Sequence, residues 1–218
     1  IKSILPSVVV INLERRQDRK KSFLEYHPDF SNTNTQIRFL PAYDGRELTL
    51  TPTLARLFAT NDFMWKKAVM GCALSHLKVW SDFLNEPALE TILILEDDAR
   101  LNSGWREAWM NAYPSLPEDW DCVYLGGILP PNRAGFLQSL ERVAPGLARV
   151  KANQSFGQKE PTRYFHFCAY AYILSRRGAT KILNSITERN GYWTSADHMI
   201  CNRVDRMNLY VLDPLVAG

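Results

Sequence analysis

Five strand-forming residues, Thr91-Ile92-Leu93-Ile94-Leu95, run straight into three carboxylates, Glu96-Asp97-Asp98. An apolar run without polar alternation is the pattern of a strand covered on both faces, which belongs to a parallel sheet in an α/β layered fold. Charged groups beside such a strand must be compensated. In open α/β sheets, ligands bind in the crevice beyond the carboxyl ends of the strands, so acids at that end point to a hard cation and phosphate oxygens. Side chains alternate along an extended chain, which puts Glu96 and Asp98 on one side and Asp97 on the other. A plainer reading makes them surface carboxylates that cap the next helix or pair with Arg100.

The rest of the chain reads as alternating strands and helices. Strands are expected at Ser7–Leu13, Ile37–Leu40, Cys122–Leu125, Phe165–Leu174 and Tyr210–Leu212. Helices are expected from Glu14 to about Tyr26, Thr49 to about Ala59, Gly71 to Leu84, Trp105 to Tyr113 and Ser175 to about Ile186. This alternation implies an α/β fold with a mostly parallel central sheet. Residues Leu129 to about Pro161 show no sustained period and read as a long loop region with a short helix or hairpin. With 218 residues, 46% of them hydrophobic, one core and a single domain over 1–218 are expected.

Several function classes recede on composition. A formal net charge of +3 creates no field for nonspecific nucleic-acid binding. No stretch approaches the ~20 apolar residues of a membrane span, and no leader is visible, so an integral membrane segment is not expected. Bacterial cytoplasm is the expected compartment, with peripheral contact at the inner face of the membrane, or the secretory-pathway lumen for a eukaryotic source. Cys72, Cys122, Cys168 and Cys201 form no Cys-x-x-Cys pair and read as reduced, three of them among apolar neighbours as small hydrophobes. Zinc is disfavoured at the acids because no His or Cys cluster accompanies them in the sequence. Mg²⁺ or Mn²⁺, which retain waters and accept substrate oxygens, suits a two-carboxylate site.

Other candidates come in pairs of readings. Asn12-Leu13-Glu14-Arg15-Arg16-Gln17-Asp18-Arg19 follows the first strand, either as a solvated helix face or as arginines that meet phosphates at a helix start. Ser75-His76 lies in an apolar helix and is either packing or part of a site. Asp197-His198, after Thr194-Ser195, is either a capped helix start or functional. Asp119-Trp120-Asp121 precedes the Cys122 strand and reads as turn chemistry. Gly126-Gly127, after that strand, would permit a ligand to approach the backbone closely.

Taken in order, VINLERRQDR (Val10–Arg19), AYDG (Ala42–Gly45), GCALSHLKVW (Gly71–Trp80), ILEDDARL (Ile94–Leu101), DWDCVYLGG (Asp119–Gly127), AYILSRRGATKIL (Ala171–Leu183) and the acid of SADH (Asp197) resemble glycosyltransferase family 25. That family includes bacterial lipooligosaccharide glycosyltransferases and collagen β-galactosyltransferases. The resemblance implies a GT-A type nucleotide-sugar-binding fold, in which 1–128 would be the nucleotide-sugar and metal half and 129–218 the acceptor half. It implies an inverting transfer with a divalent metal, Mn²⁺ or Mg²⁺, at a DxD-like EDD motif. Asp98 would ligate the metal, Glu96 would support it, and Asp97 would face the ribose. Asn12, Arg15, Arg16, Arg19, Asp44 and Gly45 would line the nucleotide pocket, with Ser75 and His76 beside it.

The implied activity moves a hexose, most readily galactose, from a UDP-sugar to a hydroxyl of a lipopolysaccharide-type glycan or a protein. Asp197 is the first choice for the base that takes the acceptor proton, and Asp121 the second. Two other classes remain open: a UDP-sugar-binding module without transfer, and a metal-dependent nucleotide phosphohydrolase. One departure favours the first of these. Family members usually carry a Glu shortly before GCALSH, where this chain has Val69.

Overall fold

The computed structural model describes residues 4–32, 37–128, 137–151, 168–201 and 206–218. Their strands are β1 (Ser7–Asn12), β2 (Ile37–Pro41), β3 (Thr91–Glu96), β4 (Cys122–Tyr124), β5 (Leu140–Ala144), β6 (Leu147–Val150), β7 (Ala171–Ser175) and β8 (Leu209–Leu212). They join in one eight-stranded sheet of order β2-β1-β3-β7-β4-β8-β6-β5. The helices are α1 (Gln17–Tyr26), α2 (Pro28–Asn32), α3 (Pro52–Leu57), α4 (Lys67–Leu84), α5 (Trp105–Ala112), α6 (Arg176–Glu188) and α7 (Ala196–Cys201).

The sheet divides the core in two, as strand alternation requires. Val9, Ile11, Ile92 and Ile94 turn to one face, toward Trp80, Phe83 and Ile182. Val8, Val10, Leu93 and Leu95 turn to the other, toward Phe23, Trp105 and Trp109. All eight strand residues are buried, so β1 and β3 are covered on both sides. At ~25 cal/mol per Å² of apolar surface removed from water, each such side chain contributes roughly 1.5–3 kcal/mol.

The α/β layering agrees with the alternation of elements, but the sheet is mixed. β1 runs parallel to β2 and β3, and β4 to β8. β7 lies between β3 and β4 and runs against both. A strand buried at every position, as β7 is, reports that both faces are covered and is silent on direction. The reversed direction matters for the site: β7 begins at the edge where β3 ends, so Cys168, Ala169 and Tyr170 arrive beside Glu96. Strands from residues 1–128 and 129–218 thus interleave in one sheet.

Within the expected loop region, 137–151 holds an antiparallel hairpin, β5 with β6, that adds to the sheet edge through β8. Gly146, at φ 78°, takes the left-handed turn between them. The remainder of that region, 129–136 and 152–161, and the expected strand start at 165–167 lie outside the described residues. Helix α4 begins at Lys67, four residues before the expected start, because no capping side chain marks its entry. Helix α6 opens where expected, with the Ser175 hydroxyl accepting from the Gly178 N–H. Among the described residues, no helix is long and apolar enough to cross a membrane.

Candidate active site

The carboxyl ends of β1, β2 and β3 and the amino end of β7 meet along one edge of the sheet. That edge opens on two cavities, of about 620 and 530 Å³. Ala68, Cys72 and Glu96 line both, so the cavities meet at the start of α4 and the end of β3. The smaller is basic, with Arg15, Arg19, Arg46 and Lys67 around Asp44 and Asp97. The larger is acidic, with Glu96, Asp98 and Asp197.

In the basic cavity the arginines are held by carboxylates. Arg15 Nε donates to Asp44 Oδ2 at 2.6 Å, and Arg46 Nη2 donates to the same oxygen at 2.8 Å. These guanidiniums, Arg46 first, hold the Asp44 carboxyl well below its ordinary pKa. Asp97 accepts from Asn12 Nδ2 at 2.7 Å and from Arg19 Nη1 at 2.8 Å. Its side chain is 8% exposed, against 34% for Glu96 and 55% for Asp98. Both Asp97 oxygens are therefore taken, by Asn12, which lines neither cavity, and by Arg19 of the basic one, and Glu96 and Asp98 are the open carboxylates of the triplet. Arg16 lines neither cavity; it pairs with Asp18 at the start of α1.

The acidic cavity carries an excess of negative charge. Burial, and next the charge of Glu96, raise the Asp98 pKa despite Arg19 at 3.2 Å. Two partly exposed carboxylates that offer oxygen donors side by side suit a hard divalent cation, Mg²⁺ or Mn²⁺. Asp197, in the first turn of α7, lines the same cavity.

Ser75 and His76 are structural supports of this wall. Ser75 Oγ donates to Gly71 O at 2.7 Å and accepts from Tyr43 N at 2.9 Å, which fastens the 42–45 loop to α4. Close backbone approach makes the same joint: a Cβ on Gly71 would stand 2.6 Å from Tyr43 O and 2.8 Å from Gly45 N. Gly71→Ala is accordingly expected to cost about 1–3 kcal/mol, because the 42–45 loop would have to move. Urea denaturation measures the loss, and an unchanged stability would show the contact to be slack. His76 is fully buried, with Nε2 3.2 Å from Glu96 Oε1 and Nδ1 2.9 Å from Tyr172 Oη. Burial disfavours the imidazolium, but Cys72 and Glu96 outweigh it and raise the ring to about 10.

Two expectations change here. Asp121 is fully buried at the amino end of β4, across the sheet from Glu96, where Arg177, Lys181 and the Asn208 N–H occupy its oxygens. It lines neither cavity. Gly126-Gly127 does permit close approach, but by Tyr170: a Cβ on Gly126 would clash with its hydroxyl and with its ring, the ring atoms at 2.6 Å, and Gly127 N donates to its hydroxyl. Sequence reasoning missed Arg46, Lys67, Cys72 and Tyr170 at the site. Cys72 and His76, four apart on α4, carried a usable signal, since that spacing puts both on one helix face.

A family model described as "Glycosyltransferase family 25 (LPS biosynthesis protein)" matches residues 6–200. The chain belongs to glycosyltransferase family 25. Relatives include Procollagen galactosyltransferase 1-B of Xenopus laevis, 28% identical over 203 residues, and Procollagen galactosyltransferase 2 of Homo sapiens, 24% identical over 194. The matches cover 82% of this chain and 28% and 27% of those proteins, so the chain spans little more than a quarter of their length. Another family 25 relative, from Bos taurus, is named "Probable inactive glycosyltransferase 25 family member 3" and is 27% identical over 191 residues, again 82% of this chain and 28% of its own. Val69, the position at which the resemblance leads one to expect a Glu, lines the acidic cavity with Cys72.

Proposed function

We propose that this family 25 domain transfers a hexose from a nucleoside-diphosphate sugar to an acceptor hydroxyl. The observation that carries the reading is the pair of cavities meeting at Glu96. A nucleoside diphosphate matches the basic one, where Arg15 and Arg19 offer bidentate contacts to phosphate oxygens. The sugar and acceptor then extend into the acidic one, toward Asp98 and Asp197. The names of the Xenopus and human relatives favour galactose, hence UDP-galactose as the donor. The acceptor is a glycan or protein hydroxyl.

Glu96 and Asp98 would hold Mg²⁺ or Mn²⁺, which supplies charge neutralisation to the diphosphate oxygens. The chain's own residues do the rest. Arg15 and Arg19, fixed by Asp44 and Asp97, stabilise the negative charge that grows on the diphosphate as its bond to the anomeric carbon breaks. Asp197 takes the acceptor hydroxyl proton while the new oxygen–carbon bond forms on the opposite face, with inversion. Its carboxylate is preferred over Asp121 because it lines the cavity and Asp121 does not.

Asp197→Asn tests the assignment. The expected result is a fall in kcat of about 10²–10⁴-fold with UDP affinity unchanged. Loss of UDP binding in parallel with kcat would instead place Asp197 in the donor site. A second reading, nucleotide-sugar binding without transfer, is favoured by Val69 in the acidic cavity and by the bovine relative's name. Saturable UDP-galactose binding with no transfer to any glycan or hydroxylysine peptide would support it.

A further inference from the structure

Cys72 and Glu96 stand on the wall that the two cavities share, His76 lines the basic cavity beside them, and the transfer described above uses neither the sulfur nor the ring. No Cys or His neighbours the acids in sequence, and folding brings both there. Cys72 Sγ is 3.9 Å from Glu96 Oε1, and His76 Nε2 is 3.2 Å from the same oxygen. One donor atom from each of the three residues lies within 4.8 Å of the others. The edges of a tetrahedral zinc centre are roughly 3.3–3.7 Å, from metal–ligand distances of ~2.0–2.3 Å, so small side-chain rotations close the set.

The surroundings meet the other requirements of a metal site. Tyr172 Oη stands 2.9 Å from His76 Nδ1 and accepts Trp80 Nε1–H at 2.9 Å, so the ring is held from behind with Nε2 aimed at the cluster. His76, Trp80 and Tyr172 are fully buried, which locks that geometry. Cys72 is exposed and borders both cavities, which supplies an entry path.

We infer that Cys72, His76 and Glu96 form a three-ligand site for a thiophilic divalent cation of the zinc class, with its fourth position open to the acidic cavity. A sulfur–nitrogen–oxygen set favours zinc over Mg²⁺ or Mn²⁺, which sets it apart from the all-oxygen pair of Glu96 and Asp98. Binding forms bonds from the ion to Sγ, Nε2 and a Glu96 oxygen, and releases to solvent the thiol proton and any proton on Nε2. Because Glu96 belongs to both sets, zinc here draws it away from the donor ion and lowers transfer. That consequence rests on the proposed donor site; the cation site itself does not.

Cobalt titration of the whole chain, without nucleotide sugar, tests the site. One equivalent of Co²⁺ is expected to give a near-ultraviolet thiolate-to-cobalt band and the strong visible absorption of a tetrahedral centre, both abolished by Zn²⁺. Cys72→Ser should remove the thiolate band. Cys168→Ser, which changes the other cysteine of the acidic cavity, should keep it. Tyr172→Phe should weaken zinc affinity about 10–100-fold while the band persists. Weak octahedral absorption alone, or a thiolate band that survives Cys72→Ser, would overturn the inference and leave the donor-site reading standing. Failure of UDP binding with the cobalt band intact would do the reverse.

Discussion

Replacing Asp98 by alanine is expected to reduce transfer by at least about 10²–10³-fold while leaving the fold intact. The catalytic loss follows from position. Asp98 and Glu96 are the open carboxylates of the triplet, and Glu96 stands where the acidic cavity meets the basic one proposed to take the diphosphate. The intact fold follows from the electrostatics. Asp98 lies beyond the end of β3, more than half exposed, and carries its charge against Glu96 and Asp97. Its removal relieves repulsion, so the midpoint of thermal unfolding should stay level or rise, a pattern found where charge is kept for function at some cost in stability. Initial rates and a melting curve on the same preparation decide the matter. A variant that melts well below the wild type would show the acid to be structural.

Asp121→Ala should do the opposite. Its carboxylate is fully buried and accepts from Arg177 Nε at 2.9 Å, Lys181 Nζ at 2.6 Å and Asn208 N at 2.8 Å. Removing one partner from a buried ionic cluster costs about 3–5 kcal/mol. Arg177 and Lys181 are 42% and 32% exposed and can regain water, which argues for the lower end of that range. Against a typical stability of about 5–15 kcal/mol this is still a large share. The folded fraction should bind UDP as the wild type does, because neither cavity includes Asp121. Urea unfolding with and without UDP separates the two effects. A stable variant with impaired transfer would restore Asp121 as a candidate base.

The acid-ended strand was legible because its signal is local: five residues of one kind followed by three of another, with the strand period deciding which side each takes. Asp121 was legible too, had direction been used, since a residue that precedes a strand sits at its amino end and Glu96 marks the carboxyl end of β3. Arg15 and Arg16 could not be told apart, because α1 begins only at Gln17 and the turn before it sends one side chain to Asp44 and the other to Asp18. The reversal of β7 left no trace in a uniformly buried strand. The approach of Cys72 and His76 to Glu96 depends on how α4 packs over β3, a tertiary fact that no local pattern carries. Tyr170 filling the space over Gly126 is of the same kind.

Calorimetric titration of UDP-galactose into the wild-type chain, with Mn²⁺ and then with Mn²⁺ removed by chelator, tests the donor site most directly. One saturable site that needs the ion is the predicted result. Binding of equal strength without the ion, or heat indistinguishable from dilution in its presence, would contradict a donor site built on Glu96 and Asp98.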